Sequence, residues 1–365
     1  MPDTVTRIDL PALGGAALAL AAAVLFGIST PLVQRAGVGL GAFSTAALLY
    51  AGAALLGGLM RQPVQREAAL RWRDAKRLAL MALFGAGIGP VALAWGLQHT
   101  SGTSASLMLA LEAVFTALLA RTLYREVIDR RVAAAMVLLL VGGIVLLLDR
   151  GAVAGAQLLG SVAVFTATLA WGADNTLSRA LAERDPGQVV LAKSIIGATL
   201  TGVLAYSLGE PLPSWQPALA LAAIGASGYG LSLRLYLLAQ RAFGATRTGS
   251  VFAFAPFIGA VVAIALGERS VTSGMVLGGV LMLAGVILHL VEDHSHVHEH
   301  AELEHEHAHV HDDGHHGHAH DPMPLGAHSH LHRHEPLRHA HAHVPDAHHM
   351  HEHAHDRAHD HEHAA

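Results

Sequence analysis

The chain has 365 residues, 52% of them hydrophobic and only 14% charged, with a mean hydropathy of +0.42. That is too apolar for a soluble domain of this length and belongs to the membrane class. The charge is split: residues 1–291 carry 20 Lys and Arg against 13 Asp and Glu, a net of +7, whereas residues 292–365 carry 3 against 15, a net of −12, and hold 27 of the 29 histidines. With no cysteine anywhere, a disulfide framework and a thiolate metal centre are both excluded. Neither a nucleophile–base set nor a phosphate-binding loop is visible, which argues against an enzyme, and nothing suggests nucleic acid as a partner.

Taken in order, apolar segments fall near residues 12–33, 40–60, 77–98, 103–122, 131–148, 157–179, 189–208, 217–239, 245–267 and 272–291. About 18–20 apolar residues suffice to cross a bilayer as a helix. The first segment is longer than a signal-peptide core and is followed by others, so it reads as a retained helix. Ten spans put both termini on one side. With the N-terminus inside, the inner segments hold fifteen Lys and Arg against three outside (Arg35, Arg150 and Arg269), so both termini are expected in the cytoplasm of a cell bounded by this inner membrane.

The fourth segment, TSASLMLALEAVFTALLARTLYRE (103–126), has an echo in ATRTGSVFAFAPFIGAVVAIALGE (245–268). An offset of 142 superposes Gln98 on Gln240, Gly102 on Gly244, Ala113 on Ala255, Phe115 on Phe257, Glu126 on Glu268 and Gly143 on Gly285. The first spans match at an offset of 145, Leu25-Phe26-Gly27 against Ala170-Trp171-Gly172. A duplication of five spans inserts its second copy upside down. The expected architecture is all-α integral membrane: ten transmembrane helices as two inverted five-helix repeats, residues 1–150 and 151–291, followed by a disordered tail over 292–365. Gly27 to Pro31, Gly85 to Pro90 and Pro256 suggest interrupted helices, with simple packing kinks as the alternative. Gly142-Gly143 and Gly274-Gly278 read as points of close helix approach.

The spans ALEAVFTALLARTLYRE and AFAPFIGAVVAIALGE, within the five-plus-five layout, resemble the drug/metabolite transporter superfamily, EamA type, over residues 12–290. The resemblance implies a secondary transporter, in many members an exporter of metabolites or toxic compounds. It also implies a central cavity formed mainly by the first, third and fourth helices of each repeat. Two departures stand out: Ala113-Val114 where the family has a proline after the glutamate, and Arg121 to Arg125 where it has an apolar run ending in Gly-Glu.

Ionisable groups within spans cost about 2.5–3.5 kcal/mol each on insertion scales, so each calls for a reason. Glu112, at mid-span, must face the cavity, find a partner or be protonated; a proton-coupling or amine-binding role stands beside a packing hydrogen bond. Asp174 and Arg234, on two helices that form the cavity in the family picture, lie within about one turn of the same depth and are expected to pair, unless Arg234 reaches the surface and Asp174 caps a helix end. Lys193 reads as a surface-reaching anchor. Trp95, Gln98, Trp171, Asn175 and Tyr229 complete the candidate substrate site, an aromatic surface with a few amides suited to an amphipathic small molecule; Trp171 and Tyr229 also fit an interfacial belt, and His99 a solvated loop.

The tail is a low-complexity repeat of His-x-His units that lacks the apolar periodicity to fold alone. Its candidate metal ligands are His294, His296, His298, His300, His305, His307, His309, His311, His315, His316, His318 and His320. Imidazoles with interspersed carboxylates suit zinc, nickel, cobalt or Cu(II); a pH-responsive polyampholyte is the competing reading. His305–His309 and His351–His355 match H-E-x-x-H, a motif that means a zinc protease only on a stable helix in a cleft, and are set aside.

The expected function is a secondary transporter that moves, by family habit exports, a small polar or ionic metabolite or drug by alternating access. Its partners would be that substrate and the bilayer, with proton coupling through Glu112 and a homodimer left open. No cofactor is required, and divalent metal is expected only on the tail. Alternatives are a nickel, cobalt or zinc efflux transporter and a membrane-anchored metal buffer or sensor.

Overall fold

The computed structural model describes residues 10–61, 67–124, 128, 130–148, 155–181, 184–243, 245–269 and 271–290, and in the tail 295–300, 303–309, 328–334 and 337–342. Eight helices among the described residues are long and apolar enough to cross a bilayer: α1 (Leu10–Ala36), α2 (Ala42–Leu59), α3 (Trp72–His99), α4 (Gly102–Leu123), α5 (Arg130–Leu148), α7 (Pro186–Ser207), α8 (Trp215–Ala242) and α9 (Thr248–Ala265). Between and after them lie α6 (Gly155–Ser178), whose apolarity is lowered by Asp174 and Asn175, and α10 (Ser273–Leu290). Large apolar side chains such as Val137, Ile144, Leu159, Val203, Val261 and Val280 point outward, as a surface solvated by acyl chains requires.

Helix ends are closed by acids. Asp185 caps α7 by accepting from the Gly187 N–H at 2.8 Å. The α2 N-terminus is closed from the other half of the chain, where the Glu210 carboxylate accepts from the Phe43 and Ser44 amides at 3.2 and 2.7 Å. At α4 the Ser101 hydroxyl accepts from the Ser104 amide and Glu268 from the Thr103 amide, at 3.1 and 3.0 Å. Each carboxylate satisfies amides that have no partner within their helix and lies at the positive end of the dipole.

The two halves interleave rather than sit side by side. Helix α1 packs on α8 and α9, and α6 packs in the equivalent way on α3 and α4; α2 meets α7, and α5 meets α10. Small residues make these crossings close. A Cβ on Gly27 would lie 2.4 Å from the Ala255 carbonyl oxygen, and one on its equivalent Gly172 would lie 2.7 Å from the Phe115 Cβ. Gly142 and Gly278 meet across α5 and α10, as expected of small residues where helices touch.

The interruptions fall at equivalent places. Helix α3 widens into a π-helical stretch at Ala82–Ile88, and α8 does so at Gly225–Leu231. The fourth span of each repeat also breaks in register: α4 tightens at Leu109–Leu111 and α9 turns at Ala253-Phe254, just before Pro256. The α4 break persists although Val114 stands where α9 has its proline. Of the three expected interruptions, the one at Pro31 is not realised, since α1 runs through it; one proline near a helix end removes a single hydrogen bond, and neighbouring helices hold the rest.

The disorder expected of the tail does not extend to its described segments. Strand β1 (Ser295–His300) pairs antiparallel with β4 (Leu337–Ala342), and β2 (Leu303–His309) with β3 (His328–His334). The reason is the His-x-His alternation itself, whose period of two is that of a strand. His305–His309 thus lies on a strand, where the H-E-x-x-H reading has no helix to stand on. His294, His311, His315, His316, His318, His320 and the second such match, at 351–355, lie outside the described residues.

Candidate functional site

The site begins at a backbone defect. In a π-helical turn the acceptor for residue 90 is the carbonyl of residue 85, but residue 90 is proline and has no N–H to give. The Gly85 carbonyl is therefore free, and two side chains take it: the Tyr50 hydroxyl from α2 and Trp171 Nε1 from α6, the latter at 3.1 Å. A lone carbonyl in an apolar interior would be costly; two donors from different helices make it a fixed junction instead.

Around this junction the charges gather. Asp174 is 4% exposed, and its carboxylate lies directly on Gly85, where any Cβ would meet it. Its Oδ2 is bound by the Lys193 ammonium of α7, and Lys193 is 2% exposed. The other oxygen, Oδ1, has no hydrogen-bond partner among the described residues. Next along α6, the Asn175 amide donates to Oε1 of half-buried Glu112, the residue that follows the tightened turn of α4. The centre therefore holds two carboxylates and one ammonium, contributed by both halves. The pair is asymmetric: at the offset of 145 the equivalents of Asp174 and Lys193 are Ser29 and Leu48.

An aromatic wall adjoins these charges. Phe26 packs edge-on against Trp171 and Tyr229, with ring centroids 5.5 and 5.8 Å apart, and Tyr50 meets Tyr229 at 5.6 Å. Phe252 continues the wall, 5.5 Å from Phe26 and 5.0 Å from Tyr236. Trp171 and Tyr229 are buried, which rules out an interfacial belt for both.

Several sequence expectations change here. Asp174 pairs with Lys193 and not with Arg234, whose guanidinium donates to the Met60 carbonyl at 2.9 Å, at the negative end of α2. Equal depth does not pair two residues, because it does not say which way a helix face turns. Lys193 is no surface-reaching anchor, since it is buried and its ammonium binds the Asp174 carboxylate. Trp95 and Gln98 do not join the centre: Trp95 is 37% exposed and stacks on His99, and Gln98 donates to the Leu40 carbonyl at 2.9 Å. His99 is not simply solvated, as its Nδ1 lies 2.7 Å from the Trp95 carbonyl oxygen. The sequence reading also missed Phe26 and Tyr50. A signal for Phe26 existed, since it is the repeat equivalent of Trp171, and residues related by a pseudo-twofold near its axis touch.

Among the described residues, no group of three or more His, Asp or Glu is arranged to hold a metal ion. What the centre can do is handle charge: one carboxylate neutralised by a lysine, one held by an amide, both beside aromatic faces.

A polytopic helical bundle with apolar sides, an internal duplication and a charged centre defines a multi-pass membrane transporter. Residues 13–148 and 158–291 each match the EamA-like transporter family, and the chain belongs to that family, whose members move small molecules across membranes. It is similar to an uncharacterized transporter of Methanothermobacter thermautotrophicus, with 27% identity over 230 residues, 61% of this chain and 67% of the relative. A solved structure described only as a crystal structure of a protein shares the fold, with a TM-score of 0.54 and 19% identity, covering 75% of this chain and 94% of that one.

Proposed function

We propose that the protein is a secondary transporter that exports a small polar or ionic molecule by alternating access, its two halves inverted in a cell inner membrane with both termini in the cytoplasm. The observation that carries this reading is the meeting of Asp174–Lys193 and Asn175–Glu112 where helices of both halves cross. Charged groups buried in a span are costly and belong to a transport pathway by default. Glu112 couples transport to protons, since its carboxylate accepts from a neutral amide, Asn175, that tolerates both protonation states. The positive-inside distribution of Lys and Arg supports the orientation.

The test is a growth and flux screen of cells with and without the protein against metals, amino acids and drugs, with Glu112→Gln alongside. Glutamine keeps the shape and an oxygen for Asn175, so the fold should survive while proton-coupled flux falls about a hundredfold, the scale of a lost proton-transfer group. Wild-type flux in Glu112→Gln would remove Glu112 from the mechanism.

A second role belongs to the tail. The register sets His305 opposite His332, His307 opposite His330 and His309 opposite His328, with His296 opposite His341 and His298 opposite His339 in the other pair. Directly opposed residues on one face are the closest neighbours a strand pair offers, and neutral imidazoles suit zinc, nickel or cobalt. Removing residues 292–365 should abolish binding of these ions to the purified protein, measured by calorimetry, and leave flux through the bundle intact. Loss of flux as well would favour a metal-efflux transporter fed by the tail, or a metal sensor.

A further inference from the structure

One end of the bundle carries a second structure that the site does not use. Apart from the main core there is a small apolar cluster of Met81, Leu181, Val189 and Leu237, all fully buried, with Leu70, Leu78, Leu177 and Leu233 packed around it. Its members come from α3, α6, α7 and α8, the helices that carry Gly85, Asp174, Lys193 and Tyr229, with Leu70 from just before α3 and Leu181 from the turn that follows α6. Along each helix the cluster follows the site at a short interval: Met81 is four residues from Gly85, Leu177 three from Asp174, and Val189 four from Lys193. At 5.4 Å per turn it lies about one turn from the charged centre.

Beyond it, the same end is tied by charge. Asp74 accepts from Arg184 Nε at 3.0 Å, and these two are 6% and 8% exposed. Arg241, at the end of α8, binds both oxygens of Glu67, at 2.8 and 3.1 Å, and also the Arg184 carbonyl. Main chain reinforces the side chains: the Asp185 amide donates to the Ala68 carbonyl at 2.8 Å, and the Leu70 amide to Gln188 Oε1 at 3.0 Å. Apart from the Arg241–Arg184 contact, which lies within the second half, each of these bonds joins the α2–α3 connection or the start of α3, in the first half, to the α6–α7 connection, the start of α7 or the end of α8, in the second.

We propose that these two layers are a gate: an apolar plug that bars polar cargo and water, closed from outside by the Asp74–Arg184 and Glu67–Arg241 latch. The chemistry divides the work. Buried leucine, valine and methionine exclude ions but have no angular preference, so they slide apart easily. The ion pairs, one buried and one half-buried, hold one arrangement, and lose their geometry when the two halves move relative to each other. The latch therefore biases the bundle toward closure at this end, and opening it exposes the site one turn inside. The gate rests on the reading of the chain as an alternating-access transporter.

The natural absence of cysteine makes the test direct and independent of any cargo. Ser194→Cys places one thiol beside Lys193 at a position 1% exposed, and Arg73→Cys reports which side of a sealed vesicle carries this end. With a membrane-impermeant maleimide added to that side, Ser194→Cys should label slowly in the parent. Labelling should be about tenfold faster when Asp74→Asn or Arg184→Gln is added, the shift that a loss of 1.4 kcal/mol of closed-state bias gives. The exchanged pair Asp74→Arg with Arg184→Asp should restore slow labelling. Unchanged labelling in the single variants overturns the gate. So does faster labelling that the exchanged pair fails to restore, or that appears equally from the opposite side, because either would mean general loosening. A failed flux screen with intact gating would instead count against the transport reading alone.

Discussion

Replacing Lys193 by methionine is expected to lower stability by about 3–5 kcal/mol, the cost of leaving a buried carboxylate without its counter-charge. The size follows from the place. Asp174 is buried, with Gly85 on one side and the α7 lysine on the other, and the ammonium is the counter-charge bonded to it. Asp174→Asn should do comparable damage, because it strands the ammonium instead. The double variant Asp174→Asn with Lys193→Met should regain most of the stability, since no lone charge is left, yet should not regain flux. Thermal unfolding of the detergent-solubilised protein, followed by tryptophan fluorescence, measures the first part, and vesicle uptake the second. Single variants as stable as the parent would mean that the pair is not formed in the membrane.

The second large effect is steric. At the crossing of α2 and α8, a Cβ on Gly52 would sit 1.8 Å from the Ala222 carbonyl oxygen, and one on Gly225 would sit 1.9 Å from that of Leu49. Both obstacles are main chain and cannot rotate away. Overpacking ordinarily costs about 1–3 kcal/mol and more where backbones must part, so Gly52→Ala should push the helices apart and abolish accumulation of folded protein. Gly58→Ala, on the same helix, meets only the Leu191 Cδ1 at 3.7 Å, ordinary contact, and should fold normally. Size-exclusion profiles of the two variants decide the matter; a monodisperse Gly52→Ala would show that the two helices cross less closely than these distances.

These two expectations also separate the levels at which the molecule is specified. The apolar spans and the doubled pattern are one-dimensional facts, because hydrocarbon thickness fixes a helix length and duplication fixes an offset. Pro90 was legible as a break for the same reason: it lacks an N–H whatever surrounds it. Glu112, Asp174 and Asn175 were visible as charges and amides out of place in a span. Their partners were not. Lys193 lies near the start of its helix, where a long cationic side chain can usually reach water, and only the packing of α7 on α2 and α3 turns it inward to Asp174. Arg234 was drawn the other way, to the free carbonyl at the end of α2.

The sequence by itself determined that this chain crosses a membrane many times, in two copies of one pattern, with a few charges that hydrocarbon cannot solvate. Solvent sets that outcome, and it acts on each segment separately. Tertiary structure alone decided which charge meets which, that the Gly85 carbonyl anchors Tyr50 and Trp171, and that Asp74, Arg184, Glu67 and Arg241 tie one half to the other. Such partnerships depend on the rotation and crossing of neighbouring helices, which residues far apart in the chain fix together.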